Sequence, residues 1–150
     1  MDAQRVDLQA ERALAVAGEI RVVIGRLRRR LRAEASPGDL TPSQAAVLSR
    51  LEREGPATLT TLARAEGVRP QSMGATISVL EKAGLVSSAP DPTDGRQSIL
   101  SLTVAARETF TTVRAVREDW LFRAIQSKLA PGEQEELAHA IDLLKRLADS

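Results

Sequence analysis

The sequence predicts a mainly α fold of α+β type, in which one small antiparallel hairpin is set among helices. Three observations predict it. Apolar residues recur at intervals of three and four over most of the chain, which marks helices that bury one face. Residues that start and stop helices, such as Thr41-Pro42, Gly67, Pro70, Gly84 and Pro131, interrupt that pattern at short intervals. Only around Asp91-Pro92-Thr93-Asp94-Gly95 does the pattern change to two short runs flanking a turn cluster, as in a hairpin.

From about residue 10 to 34, Leu14, Ala17, Ile20, Ile24, Leu27 and Leu31 trace one face of a long helix, which Ser36-Pro37-Gly38 stops. Thr41-Pro42-Ser43-Gln44 then combines an N-cap threonine, a proline at the first helical position and a Gln three residues after the cap, a capping box. The helix it opens runs to about Glu54, with Leu48 and Leu51 inward, and ends at Gly55-Pro56. Thr58 caps a short third helix with Leu59 and Leu62 on one face and Gly67 as its left-handed terminator. Pro70 opens a fourth helix whose apolar positions are Met73, Ile77 and Leu80, and Gly84 ends it. A short helix, a tight turn at Gly67-Val68-Arg69 and a second helix form a helix-turn-helix. Residues 85–89 and 98–102 read as the two strands of a hairpin directly behind it, a wing. Thr103 caps a long fifth helix with an inward face of Phe110, Val113, Val116, Trp120 and Ala124. After Ala130-Pro131-Gly132, a sixth helix carries Leu137, Ile141, Leu144 and Leu147.

Composition narrows the function. In 150 residues there are 21 Lys+Arg against 20 Asp+Glu, a single His and no Cys. Disulfides, thiolate metal sites and a catalytic Cys are thereby excluded, and no metal or other cofactor is expected. At this length one domain is expected, and the apolar stretches fall far short of the roughly 20 residues needed to span a bilayer. A cytoplasmic protein that does not engage membranes follows as the expectation. The aromatics Phe110, Trp120 and Phe122 all lie near one another late in the chain, so nothing upstream offers a platform for stacking unpaired bases. Any nucleic acid bound is expected to be duplex. Walker-type phosphate loops, Gly-x-Ser-x-Gly elbows and His-Glu-x-x-His motifs are missing, and the lone His139 sits between Leu137 and Ile141. Enzymatic activity is not expected.

The geometry of 58–102 points to duplex DNA. A fourth helix that buries Met73, Ile77 and Leu80 turns Gln71, Ser72, Ala75, Thr76 and Ser78 outward or to its flanks, short side chains suited to base edges in a major groove. Gln71 can donate to and accept from adenine. The helix start at Arg69-Pro70 offers amides to a phosphate. Arg96, following the tight turn at Asp94-Gly95, can enter a minor groove. The charge count opposes this reading, because residues 41–102 hold six basic and six acidic side chains. A winged helix that docks another protein without binding DNA is therefore the rival. The basic excess lies instead in Arg21, Arg26, Arg28, Arg29, Arg30 and Arg32, with no acid between Glu19 and Glu34. A solvated face, contacts to DNA phosphates and an anchor for an acidic ligand all fit that cluster.

These residues resemble the MarR (multiple antibiotic resistance regulator) family of winged helix-turn-helix transcriptional regulators. The most specific likeness is Gly84-Leu85-Val86, then Asp91-Pro92-Thr93-Asp94-Gly95-Arg96-Gln97, then Leu102-Thr103, which is similar to the family's strand entry, wing tip and strand exit. Leu62-Ala63 with Gly67-Val68, and Leu80-Glu81 before Lys82-Ala83-Gly84, match the surrounding helices. The resemblance implies one domain over 1–150, with a winged helix region at 40–103 and dimerisation helices at 1–36 and 104–150. It implies a homodimer, usually a repressor, whose two recognition helices enter major grooves about 34 Å apart on a near-palindromic operator. Asp94 would brace the wing and Arg96 would enter the minor groove, while Arg69, Gln71, Ser72, Ala75 and Thr76 would face the DNA. A small aromatic or phenolic effector would bind near Arg21 and Trp120. Arg69 stands where many members carry a capping Ser, and Gly74-Ala75 replaces a bulkier pair, often Thr-Arg.

Overall fold

The computed structural model describes residues 2–150. Among them the chain forms α1 (Asp2–Glu34), α2 (Pro42–Glu54), β1 (Ala57–Thr58), α3 (Leu59–Glu66), α4 (Pro70–Lys82), β2 (Val86–Pro90), β3 (Ser98–Leu102), α5 (Val104–Lys128) and α6 (Pro131–Ala148). The mainly α architecture is that expected. By its internal packing the chain divides into two compact units, Ser36–Arg114 and the pair Met1–Ala35 with Ala115–Ser150, so that α5 contributes to both.

Local chemistry sets the helix ends. The Thr41 hydroxyl accepts from the Gln44 amide at 3.2 Å while the Gln44 side chain accepts from the Thr41 amide at 3.1 Å, which closes the capping box of α2. α3 ends at Gly67, whose φ of 66° lies in the left-handed region that glycine enters without a Cβ penalty. The Val68 amide then bonds the Ala63 carbonyl at 3.0 Å and the Gly67 amide the Arg64 carbonyl at 3.2 Å, a Schellman closure. Gly84, with φ of 72°, repeats that closure after α4: the Leu85 amide reaches the Leu80 carbonyl at 2.9 Å and the Gly84 amide the Glu81 carbonyl at 3.0 Å. α1 begins eight residues earlier than the periodic stripe suggested. Residues 2–9 carry no Gly or Pro, and helix-compatible residues extend the helix whether or not they bury a face.

The core of Ser36–Arg114 is built from one face of each element. Val47, Leu48 and Leu51 of α2, Leu62 and Ala63 of α3, and Met73, Ile77 and Leu80 of α4 meet Val86, Leu100 and Leu102 of the sheet, and Ala106 of α5. Phe110 packs against this cluster, and Val113 one turn on is buried. The first turns of α5 thus belong to the winged unit. The inward face expected of α5 does not run straight on: Val116 is exposed, while Trp120 and Ala124 are half-buried.

The sheet contains a strand that the sequence did not reveal. The expected two-strand wing, β2 against β3, pairs Val86 with Leu102 through to Pro90 with Ser98. β1 adds to the other edge of β3, with Ala57 opposite Leu100 and Thr58 opposite Ile99, giving the order β1-β3-β2, antiparallel throughout. A two-residue strand has no period to read. Thr58 also serves as N-cap of α3, its hydroxyl accepting from the Thr61 amide at 3.2 Å, and the cap is what the sequence displays.

The other unit holds less of its apolar surface. Leu14 of α1 is 76% exposed and Leu147 of α6 62%, and among the described residues α6 buries none of its own. Arg117 of α5 donates from Nε and Nη2 to the Ala35 carbonyl at 3.1 and 2.8 Å, which satisfies an otherwise open carbonyl past the end of α1. No helix among the described residues is long and apolar enough to cross a membrane.

Gly74 in mid-α4 gives a test of this packing. A Cβ built there meets only Leu59 Cδ1, at an ordinary 3.8 Å. Gly74→Ala should therefore raise stability by about 0.5–1 kcal/mol by restricting the unfolded chain and favouring the helix. Thermal unfolding followed by circular dichroism should show a rise in Tm of a few degrees, and a fall would contradict the α3–α4 spacing described here.

Candidate nucleic-acid interface

The helix-turn-helix consists of α3, the turn at Gly67–Arg69 and α4. Because Met73, Ile77 and Leu80 are buried, helical geometry turns Gln71, Ser72 and Ala75 to solvent, and all three are exposed. Thr76 stands nearer the core side. It is half-buried, and its hydroxyl donates back to the Ser72 carbonyl at 3.2 Å. Arg69 occupies the N-cap of α4 and is exposed; its side chain offers no acceptor, and the cap bond that a Ser would supply is missing. Pro70 at the first helical position has no N–H to satisfy, so the open donors of this turn are the amides that follow it.

The wing tip is held by its two aspartates. The Asp91 carboxylate accepts from the Thr93 amide at 2.9 Å and the Thr93 hydroxyl at 2.8 Å, and the Asp91 amide donates to the Gln97 carbonyl at 2.9 Å across the loop. Those Thr93 bonds, the backbone one first, favour the ionised carboxylate and hold the Asp91 pKa below its ordinary 3.8. Asp94 accepts from the Arg96 amide at 3.1 Å through its side chain and from the Gln97 amide at 3.0 Å through its carbonyl. The backbone on either side of Arg96 is thereby fixed, while its guanidinium enters none of the ion pairs among the described residues.

Ion pairs take up part of the charge in this unit. Arg50 of α2 donates to Glu66 of α3 at 2.7 Å and to Glu54 at 2.9 Å, contacts that push the guanidinium pKa up, Glu66 foremost. Arg114 of α5 pairs with Glu52. In residues 41–102 this leaves five basic side chains outside ion pairs (Arg53, Arg64, Arg69, Lys82 and Arg96) against three acidic ones. Of those three, Asp91 and Asp94 already accept hydrogen bonds inside the wing loop. Arg50 is shared by two carboxylates, so that cluster keeps one net negative charge, and the only charge the fold adds to the neutral sum of 41–102 is that of Arg114 against Glu52. The Arg50–Glu66 link escapes sequence reading because sixteen positions separate its ends.

Thr103 joins the wing to the helices around it. Its amide donates to the Leu85 carbonyl at 3.1 Å and its hydroxyl to the Gly84 carbonyl at 2.7 Å, while the same oxygen accepts from the Ala106 amide at 3.1 Å. One residue thus ties the end of α4, both strands and the start of α5.

The expected effector residues both belong to the unit formed by Met1–Ala35 and Ala115–Ser150. Arg21 is exposed on α1, and Trp120 is half-buried on α5. The cation over the Trp120 ring is Arg30, 5.2 Å from its centroid and also paired with Glu34 at 2.7 Å. Arg21 stands nine positions earlier, about 13 Å along the helix axis. A shallow cleft of about 300 Å³ in the winged unit is lined by Leu51, Glu52, Gly55, Pro56, Leu102, Arg107 and Thr111.

Removing the Thr103 hydroxyl tests this junction. Thr103→Val keeps the shape but loses both side-chain bonds, and should cost about 1–3 kcal/mol in urea unfolding, with Thr103→Ser recovering most of it. A Val variant as stable as wild type would remove Thr103 from this role.

Comparison with known proteins places this architecture. The MarR family model matches residues 38–97, from the start of the winged unit to the wing tip. HTH-type transcriptional regulators of Mycobacterium bovis and Mycobacterium leprae are 34% and 33% identical over 134 residues, which is 89% of this chain and 93% of each relative. A transcriptional regulator of Pseudomonas aeruginosa is 36% identical, superposes with a TM-score of 0.80 and covers 93% of this chain and 97% of its own. The fold also matches MepR of Staphylococcus aureus bound to an oligodeoxyribonucleotide, with a TM-score of 0.65 at 19% identity over 88% of this chain and 97% of that one. The chain belongs to the MarR family of HTH-type transcriptional regulators, which are DNA-binding proteins and not enzymes.

Proposed function

We propose that the protein is a repressor that binds a near-palindromic operator as a homodimer in the cytoplasm. The observation that carries this reading is the wing tip, where Asp94 fixes the backbone on either side of an Arg96 guanidinium that enters no ion pair among the described residues. Arg96 enters a minor groove while α4 of the same protomer lies in the adjacent major groove. There Gln71, Ser72 and Ala75 face the bases with Thr76 on the core-side flank of the same helix, and Arg69 with the first amides of α4 takes a phosphate. MepR, with the same fold, is bound to an oligodeoxyribonucleotide, which supports DNA as the partner. Residues 40–103 form the DNA-reading region of a single 1–150 domain, and residues 1–36 and 104–150 form the dimer. A small aromatic or phenolic effector held by residues that include Arg21 and Trp120 releases the DNA.

Binding to fragments of its own upstream DNA, measured at several salt concentrations, tests the reading. Arg96→Ala should weaken binding by about five- to hundredfold, the equivalent of about 1–3 kcal/mol. It should also reduce the slope of log affinity against log salt by about 1 if Arg96 neutralises one phosphate's worth of charge. Equal binding by both proteins would take the wing out of the mechanism. Affinity indifferent to salt would favour docking to a protein instead.

The homodimer rests on the apolar side chains that α1, α5 and α6 leave open, among them Leu14, Phe122 and Leu147. Apolar patches on this scale mark interfaces. Static light scattering at micromolar concentration should give twice the chain mass of 16.2 kDa, and a mass near the single chain would overturn the dimer.

A further inference from the structure

We propose that Ala75 and Val79 form an apolar reading edge on α4 that selects thymine methyl groups, an inference that rests on the DNA-binding reading above and deepens it. Burial of Met73, Ile77 and Leu80 fixes which side of α4 faces away from the core. At roughly 100° per residue, that side is centred on Ala75, with Gln71 one turn before it and Val79 one turn after. The three form a stripe about 80° wide. Of the four large apolar side chains on α4, Met73, Ile77 and Leu80 are buried and Val79 is 50% exposed. The hydroxyl of Thr76, the other β-branched residue beside this face, is turned back to the Ser72 carbonyl, which withdraws its donor from the outer edge.

The chemistry of the major groove matches this stripe. The apolar group a base pair presents there is the thymine C5-methyl, and a Gln is suited to adenine through its N6 and N7 atoms. Val79 is β-branched, so a helix holds its χ1 in one strongly preferred rotamer and its two methyls are presented with little entropy left to lose. Gly74 and Ala75, both small, let the helix backbone approach the base edges closely. Four residues rise about 6 Å along the helix, close to two base-pair steps of about 3.4 Å each. The half-site is therefore expected to contain an adenine read by Gln71 and two thymine methyls about two base pairs apart, one for Ala75 and one for Val79.

The probe is duplex DNA selected by the full wild-type chain from a random-sequence pool, with single thymines of the enriched site then replaced by deoxyuridine. Wild type should lose about fourfold in affinity at each of two thymines, the equivalent of about 0.8 kcal/mol for one buried methyl-sized group. Val79→Ser should bind the deoxyuridine duplex as wild type does and lose the sensitivity at one of those thymines, and Val79→Thr, which keeps one γ-methyl, should retain part of it. An enriched site with no thymine sensitive to loss of its methyl would overturn the inference while leaving DNA binding intact, as would a Val79→Ser protein with undiminished sensitivity. Should Val79→Ser bind no duplex, Val79→Thr decides, and full sensitivity there with Val79→Ala showing the same would overturn the proposal. A pool that wild type cannot enrich would overturn the DNA-binding reading itself, and this inference with it.

Discussion

The arrangement of the winged unit depends on the pinning of its hairpin at the base by Thr103. β2 is buried only at Val86 and exposed from Ser87 to Pro90, so the far end of the hairpin has no core to rest on. A two-stranded ribbon alone is marginal in water. What holds it are Val86, Leu100 and Leu102 in the core and the bonds from Thr103 to Gly84, Leu85 and Ala106. These bonds fix the pairing of Val86 with Leu102, and every later pair follows in step out to Pro90 and Ser98. A slip of one residue would turn Leu100 and Leu102 out of the core. The Leu-Thr exit and the Gly-Leu-Val entry are thus the two halves of one joint, and their job is to decide where the tip, with Asp94 and Arg96, stands.

Most of this was legible from the residues because it is local. The capping box at Thr41 and Gln44, the glycine terminators at Gly67 and Gly84, the proline starts at 42, 70 and 131, and the buried triad of α4 act within a turn of the residues that encode them. So does the wing tip, whose aspartates bond amides two positions away. What sequence reading missed is non-local or too short to carry a period. β1 is two residues long, and its pairing with β3 joins positions some forty apart. The Arg50–Glu66 and Arg114–Glu52 pairs join separate helices, so a count of charges along the chain treated as free what the fold has paired. For the same reason Arg30, rather than any other arginine of its cluster, came to lie over Trp120 only once α1 and α5 were seen together.

α5 shows how one continuous helix can serve two packing demands. Its first turns bury Ala106 and Val113 and place Phe110 against the winged core; from Ala115 onward the chain belongs to the other unit. A single stripe from Phe110 to Ala124 was the natural expectation from spacings of three and four, but such a stripe presumes one neighbour. With the neighbour changing near Arg114, Val116 is released to solvent while Trp120 is half-covered beneath Arg30. The apolar side chains left open on α1, α5 and α6 are correspondingly many, and a helix keeps such a stripe at the cost of solubility unless something covers it. In the homodimer proposed above, a second copy of the same chain, offering the same helices, would cover it without requiring any other partner.

The same economy governs α4, where thirteen residues must both fill a core and present a surface to a groove. Met73, Ile77 and Leu80 occupy the inward third of the helix, and half-buried Gly74 sits at its boundary, with Leu59 of α3 beside it. The outward third is then left to Gln71, Ala75, Ser78 and Val79, none of which the core constrains. Because the core positions are spoken for by the fold, the part of any DNA preference that α4 carries would fall to its exposed positions. Under the DNA-binding reading proposed above, a chain that places an alanine and a valine there, instead of long basic side chains, would read the major groove more through shape and apolar contact than through charge, and would leave the electrostatic share of the binding to Arg69, Lys82 and Arg96.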